Sequence, residues 1–202
     1  RRVEHTPDDV LLIDLMHRSV KRIFEGEAGA EPVAPTVRVV NVSIGVKTRI
    51  FDRAISPWAR LLDWLSFKYG VLFVVSAGNS DGSLRLAAAQ GTIGGMDAAG
   101  RKALAFDSML ADGVQRRLLS PAESINALTV GASNSDRSTA PVVADRFDIF
   151  DEKSPSPISR IGHGFRRAIK PDVLMPGGRA LWCERIIGGS PTETVMELVD
   201  GK

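Results

Sequence analysis

Residues 70 to 80 read Gly-Val-Leu-Phe-Val-Val-Ser-Ala-Gly-Asn-Ser, and no other stretch constrains the fold so sharply. Val71 to Val75 has the length and β-branched content of a buried strand. The run ends in Ser76-Ala77-Gly78, so no bulky side chain appears before Asn79. Small residues at the C-terminal end of a strand let a second backbone or a ligand approach closely. The Asn79 carboxamide is a neutral donor, suited to stabilising charge that develops on an oxygen during a reaction.

Around this run the chain alternates helix and strand. Thr6-Pro7-Asp8-Asp9 combines a cap, a first-turn proline and acids that favour the positive end of a helix dipole. Leu12, Met16, Val20 and Ile23 then recur at helical spacing as far as Gly26. Residues 27–36 contain Pro32 and Pro35 and read as a connector. Residues 37–42 predict a strand ending at Ser43-Ile44-Gly45. Ser56-Pro57 opens a second helix, with Trp58, Leu61, Leu62 and Leu65 as its apolar face and Gly70 as its stop. Residues 127–132 predict a third strand. This order implies parallel strands joined by crossover helices. The expected class is therefore α/β, a mainly parallel sheet with helices on both faces. Residues 81–119 are less regular, with Gly91, Gly94 and Gly95 before a helical run over about 96–119 that Asp112-Gly113 breaks. Residues 133–158 read as an exposed loop, and 171–178 as a short apolar segment closed by a Pro-Gly turn. The tail from Arg179 shows no firm pattern.

At 202 residues and 44% hydrophobic content, one domain over 1–202 is expected. The charge balance, 26 basic against 24 acidic residues, argues against nucleic acid or a charged membrane as partner. No apolar run approaches membrane-spanning length. Cys183 is the single cysteine, so no intrachain disulfide forms. His5 and His17 have no metal-type spacing to each other or to Cys183, and neither a metal nor another cofactor is expected. The start at Arg1, without Met or an apolar leader, suggests a piece of a longer protein.

Four segments stand in a definite order: Val39-Val-Asn-Val-Ser-Ile-Gly45, Val74-Val-Ser-Ala-Gly-Asn-Ser80, Ser120-Pro-Ala-Glu-Ser-Ile-Asn-Ala-Leu-Thr-Val-Gly-Ala132, and Ile158-Ser-Arg-Ile-Gly162 leading to Ile169-Lys-Pro-Asp-Val-Leu-Met-Pro-Gly177. Together they resemble the subtilisin-like serine peptidases, the subtilases, over roughly residues 7–178. That is the central part of the family's catalytic domain, cut short at both ends. The resemblance implies that Asn79 is the oxyanion-hole asparagine. It implies that Ser43, Ile44 and Gly45 form the strand edge that pairs with a polypeptide substrate. It makes Ser76, Ala77 and Gly78 the wall of the pocket for the side chain before the scissile bond. An extended peptide can add as a strand to such an edge. In the family, an Asp and a His precede the first of these segments and the nucleophilic Ser, in a Gly-Thr-Ser turn, follows the last. No position here matches them, so the expectation is a fragment that is inactive alone. Residues 81–119 exceed the family's usual length and read as an insertion.

Other readings compete at particular residues. His163, in Gly162-His163-Gly164-Phe165, is similar to the family's His-Gly motif but lies after Asn79, and reads as a loop histidine. Ser190 is followed by Pro191, which is wrong for a nucleophile heading a helix. Gly95 to Ala103 is a near miss to a phosphate-binding loop, with Lys102 misplaced and no Ser or Thr after it; a helix with surface charges fits better. Asn41-Val42-Ser43 is a glycosylation sequon inside a strand expected to be buried. A surface role is expected for His5 and His17, and a core or half-buried thiol for Cys183. For the chain as a whole, a non-catalytic pseudo-peptidase that binds peptides or proteins is the alternative. A nucleotide-binding module is weaker, because the turn after the first strand has only Gly45.

Overall fold

A computed structural model of the chain describes residues 6, 9–80, 83–135, 143–151, 153–185 and 194–198. In chain order the elements are α1 (Leu12–Phe24), β1 (Val39–Val42), α2 (Pro57–Tyr69), β2 (Leu72–Ser76), β3 (Leu84–Leu86), α3 (Ala98–Ala111), β4 (Leu128–Ser133), β5 (Gly162–His163), β6 (Ile169–Lys170), β7 (Val173–Pro176), β8 (Trp182–Arg185) and β9 (Thr194–Leu198).

The three strands read from the sequence lie in one sheet and run parallel. Val42 pairs with Val75, and Val75 with Thr129. β7 joins the far edge, also parallel, giving the order β1-β2-β4-β7. The Lys170-Pro171-Asp172 turn fixes that edge. Lys170 is buried, and its ammonium donates to the Ala127 carbonyl at 2.9 Å and to Asp172 Oδ2 at 2.7 Å. Asp172 Oδ2 also accepts from the Thr129 amide at 2.6 Å, so the buried charge is paired and hydrogen-bonded. Gly131 makes room for this turn: a Cβ there would stand 2.7 Å from Pro171 Cγ.

α1 and α2 cover one face of the sheet. Val20, Trp58, Leu62 and Leu65 pack there against Val42, Phe73 and Val75. α2 has the boundaries its sequence dictates. Ser56 Oγ accepts from the Ala59 amide at 3.1 Å, and Gly70 ends the helix in the left-handed region at φ 60°. The expected α/β class holds, a parallel four-stranded sheet with helices, and α3 packs on β3. Among the described residues the second face of the parallel sheet is uncovered, with Val39 59% and Met175 57% exposed. α1 begins at Leu12 rather than at Thr6, and Leu11 at its N-cap makes no side-chain cap bond. The apolar stripe starts at Leu12, and packing rather than capping sets the boundary.

A second apolar cluster gathers Leu84, Leu86, Ile93, Met109, Phe150, Trp182 and Met196. It joins α3 to an antiparallel sheet of order β3-β9-β8. The near miss to a phosphate-binding loop is the start of α3, where Asp97 caps the helix by accepting from the Gly100 amide at 2.7 Å. The helical run expected to about residue 119 ends at Ala111, at the Asp112-Gly113 break.

Two outcomes follow for stability. Ser56→Ala removes the α2 cap and the 2.6 Å contact with the buried Ser120 hydroxyl, and should cost about 1–2 kcal/mol in urea unfolding. Lys102 of α3 hydrogen-bonds Asp151 and, with Ser154, holds that carboxyl down at about 2 from the usual 3.8. A depressed carboxyl stabilises above its unfolded value and loses that effect as pH falls. Asp151→Asn should therefore cost under about 1 kcal/mol at pH 7, since both side chains are partly exposed. The difference from the parent should shrink between about pH 4 and pH 2 and vanish below it.

Candidate functional site

Parallel strands bring their C-terminal ends to one rim, and ligands of open α/β sheets bind in the crevice outside those ends. Here the rim carries Ser43 after β1, the 76–79 tip after β2, and Gly177 after β7. They enclose a cavity of about 450 Å³ lined by Ser43, Ser76, Gly78, Asn79, Ser159 and Gly177, among others.

The tip is shaped by local chemistry. The Gly78 amide donates to Ser76 Oγ at 3.2 Å, and Gly78 turns at φ 95°, a conformation that favours glycine. Asn79 emerges exposed. Its backbone bridges to Ser159, and the Ser80 amide donates to the Ile158 carbonyl at 2.8 Å. Among the described residues its carboxamide makes no hydrogen bond, while its carbonyl accepts from Arg160 Nε at 2.8 Å. The main chain is thus fastened and the side chain left at the cavity wall.

Arg160 is 6% exposed and donates also to the carbonyls of Gln115 and Arg117. Its neighbour in space, Arg116, is 3% exposed and donates to Pro157 O at 2.7 Å, Ser83 O at 2.9 Å and Ser80 Oγ at 3.2 Å. Two buried guanidinium groups therefore tie the tip to residues 115–117 and 157–160. Multiple fixed donors make arginine suited to such carbonyl clusters.

The sequence-derived residues divide into two groups. Ser43, Ser76, Gly78 and Asn79 line the cavity together. Ile44 is half-exposed beside it. Gly45 and Ala77 face away: Ala77 donates to Val130 O at 2.9 Å and accepts from the Leu119 amide at 3.1 Å. Gly45 and Gly78 both face the Leu119 side chain.

Sequence reasoning gave no role to Ser159, Arg160 or Leu119. Ser159 Oγ accepts from the Ala132 amide at 3.0 Å. The signal for Arg160 was a lone charge in an apolar stretch, Ile158 to Ile161, which demands a buried partner.

Asn41 corrects an expectation. It is exposed, because β1 is an edge strand with one covered face, and its Oδ1 accepts from Ser43 Oγ at 3.2 Å. His163 is exposed in β5 rather than in a loop. His17 packs edge-on to Trp64 at 5.7 Å between ring centres. Cys183 is half-buried in β8. Ser190 and His5 lie outside the described residues. Among the described residues no cluster of three or more His, Cys, Asp or Glu side chains could hold a metal ion.

Comparison with known proteins gives three findings. The model of the subtilase family matches residues 16–200. The uncharacterized protein y4bN of Sinorhizobium fredii (strain NBRC 101917 / NGR234) is 31% identical over 170 residues, which cover 80% of this chain and 37% of that protein. This chain thus spans little more than a third of that relative's length. The prenylagaramide maturation protease PagA is similar in structure over 97% of this chain and 46% of its own, at 18% identity and a TM-score of 0.42.

Arg160→Met should strand the carbonyls it serves and cost about 2 kcal/mol or more in urea unfolding. Arg160→Lys, keeping the charge with fewer oriented donors, should recover only part of that. Amide hydrogen exchange at Ser80 should quicken in both variants, more in the first.

Proposed function

The chain belongs to the subtilase family, and from this we propose that the protein carrying it hydrolyses peptide bonds through an acyl-enzyme, with Asn79 as a donor to the oxyanion. The observation that carries the proposal is the exposed Asn79 carboxamide, without a hydrogen-bond partner among the described residues, on the wall of a crevice at the carboxyl ends of parallel strands.

In this reading an extended polypeptide lies along Ser43-Ile44-Gly45, beyond the edge strand β1, and adds to the sheet as a further strand. The main chain of Ser76-Ala77-Gly78 borders the pocket for the side chain before the scissile bond. When the nucleophile attacks, the carbonyl oxygen gains charge, and the Asn79 amide donates to it. Arg160 fastens the Asn79 main chain, so the donor is oriented before charge develops and little reorganisation is needed at that moment.

The sequence holds no Gly-Thr-Ser, and among the described residues no hydrogen bond joins His17 or His163 to a serine. The proposal therefore assigns the nucleophile, its base and the orienting acid to residues outside these 202, and makes the chain alone inert. Residues 1–202 are read as one unit in which 81–119 is an insertion, supplying β3 and α3 to the second apolar cluster.

The test uses the full-length protein. Asn79→Ala should lower kcat by about 10²–10³ while KM stays within about threefold; the figure is subtilisin's own, carried over by kinship. Stability should change by under about 0.5 kcal/mol, since the side chain is exposed. The 202-residue chain should not react with a fluorophosphonate probe. Labelling of any serine within it, or an unchanged kcat in Asn79→Ala, would sink the assignment.

A further inference from the structure

We propose that Leu119 plugs the pocket for the substrate side chain before the cleaved bond, so that this position accepts only glycine, alanine or serine. The inference rests on the peptidase reading for its substrate, and on local geometry for its content.

The two walls are 43–45, following β1, and 76–78, following β2. The strands are paired as far as Val42 and Val75. Residues 118–120 then run between the diverging chains and are stitched to both. The Leu119 amide donates to Ala77 O at 3.1 Å on one side. On the other, the Val46 amide donates to Ser120 O at 3.0 Å and the Phe51 amide to Leu118 O at 2.8 Å.

The Leu119 side chain fills the space so enclosed. A Cβ added to Gly78 would stand 2.7 Å from Leu119 Cγ and 2.8 Å from Cδ1. A Cβ added to Gly45 would stand 3.2 Å from Leu119 Cβ and 3.4 Å from Cδ1. One leucine therefore touches both walls at their glycines, where a substrate side chain would otherwise descend. It is 3% exposed, and its neighbours Leu118 and Ser120 are 0% and 1% exposed, so the segment has no free direction in which to swing. The cavity beside Asn79 offers no substitute. Besides the rim it is lined by Asn41, Val74, Val130 and Met175 of the parallel sheet, not by Gly45, Ala77 or Leu119.

A pocket floor raised by a leucine rejects side chains methylene by methylene, and each methylene is worth about tenfold or more in kcat/KM. Leu119→Gly would lower the floor. Leu119→Ala does so partly and keeps the test available if the glycine variant fails to fold.

The full-length protein is assayed on peptides identical except for Gly, Ala, Leu or Phe before the cleaved bond. Alanine should exceed phenylalanine by at least tenfold in kcat/KM. Leu119→Gly or Leu119→Ala should cut that ratio at least tenfold, mainly by raising the phenylalanine rate. Equal or better cleavage after Phe or Leu in the parent, or an unchanged ratio in the variants, overturns the plug while leaving the peptidase reading intact. Binding of the same peptides, followed by fluorescence anisotropy, gives an independent readout. If nothing is cleaved but the Ala-over-Phe preference in Kd persists and collapses in the variants, the plug stands and the peptidase reading falls. A preference in Kd that does not depend on Leu119, or no binding and no cleavage of any peptide, overturns the plug.

Discussion

Two buried arginines hold the site in place. Arg116 and Arg160 sit almost out of solvent, yet most of the partners around them are main-chain carbonyls rather than carboxylates. Asp112 approaches Arg116 at 3.4 Å, and it is half-exposed. Burying a guanidinium is costly unless its donors are all used. Here the cost is offset by fastening together residues 79, 80 and 83, 115–117 and 157–160, which are otherwise joined by only a few main-chain bonds. A cavity wall made of Ser, Ala and Gly has little side-chain surface with which to hold itself. The arginines supply from behind what the small residues lack.

The parallel sheet then does the rest of the positioning. Its strands all run parallel, so each C-terminal end arrives at the same rim. β7 is fixed at its opposite, N-terminal end, where Lys170 and Asp172 tie it to the start of β4. A carboxamide on one such end and a strand edge on the next face each other without any element having been bent to bring them together.

What could be read in the sequence was whatever depends on nearby residues. Ser56 and Gly70 bound α2 because capping is a matter of a few positions. The strands at 39–42, 72–76 and 128–133 are short, largely apolar runs that carry β-branched residues, and their character needs no partner to be seen. The Asn79 tip was visible because smallness is visible. β3 escaped because Leu84-Arg85-Leu86 is too short to show a period. β9 escaped because Thr194, Val195 and Met196 are all buried, so no alternation is written in them. Ser159, Arg160 and Leu119 escaped for a different reason. Each acts on residues about 30 to 80 positions away, and nothing in their own neighbourhood states whom they will meet.

The uncovered face of the parallel sheet has a consequence for handling the molecule. Val39, Leu72, Val173 and Met175 lie open there or at its edge among the described residues. Contiguous apolar patches larger than a few hundred Å² are uncommon on soluble monomers, and each Å² hidden is worth about 25 cal/mol. Among the described residues nothing hides that face, and in dilute buffer the same face on another molecule would do so. Contact through that face, rather than the strength of the core beneath α1 and α2, would then set the concentration at which the chain stays dispersed. A detergent micelle or a mild chaotrope would act on that limit without touching the packing of Leu62, Leu65 and Phe73.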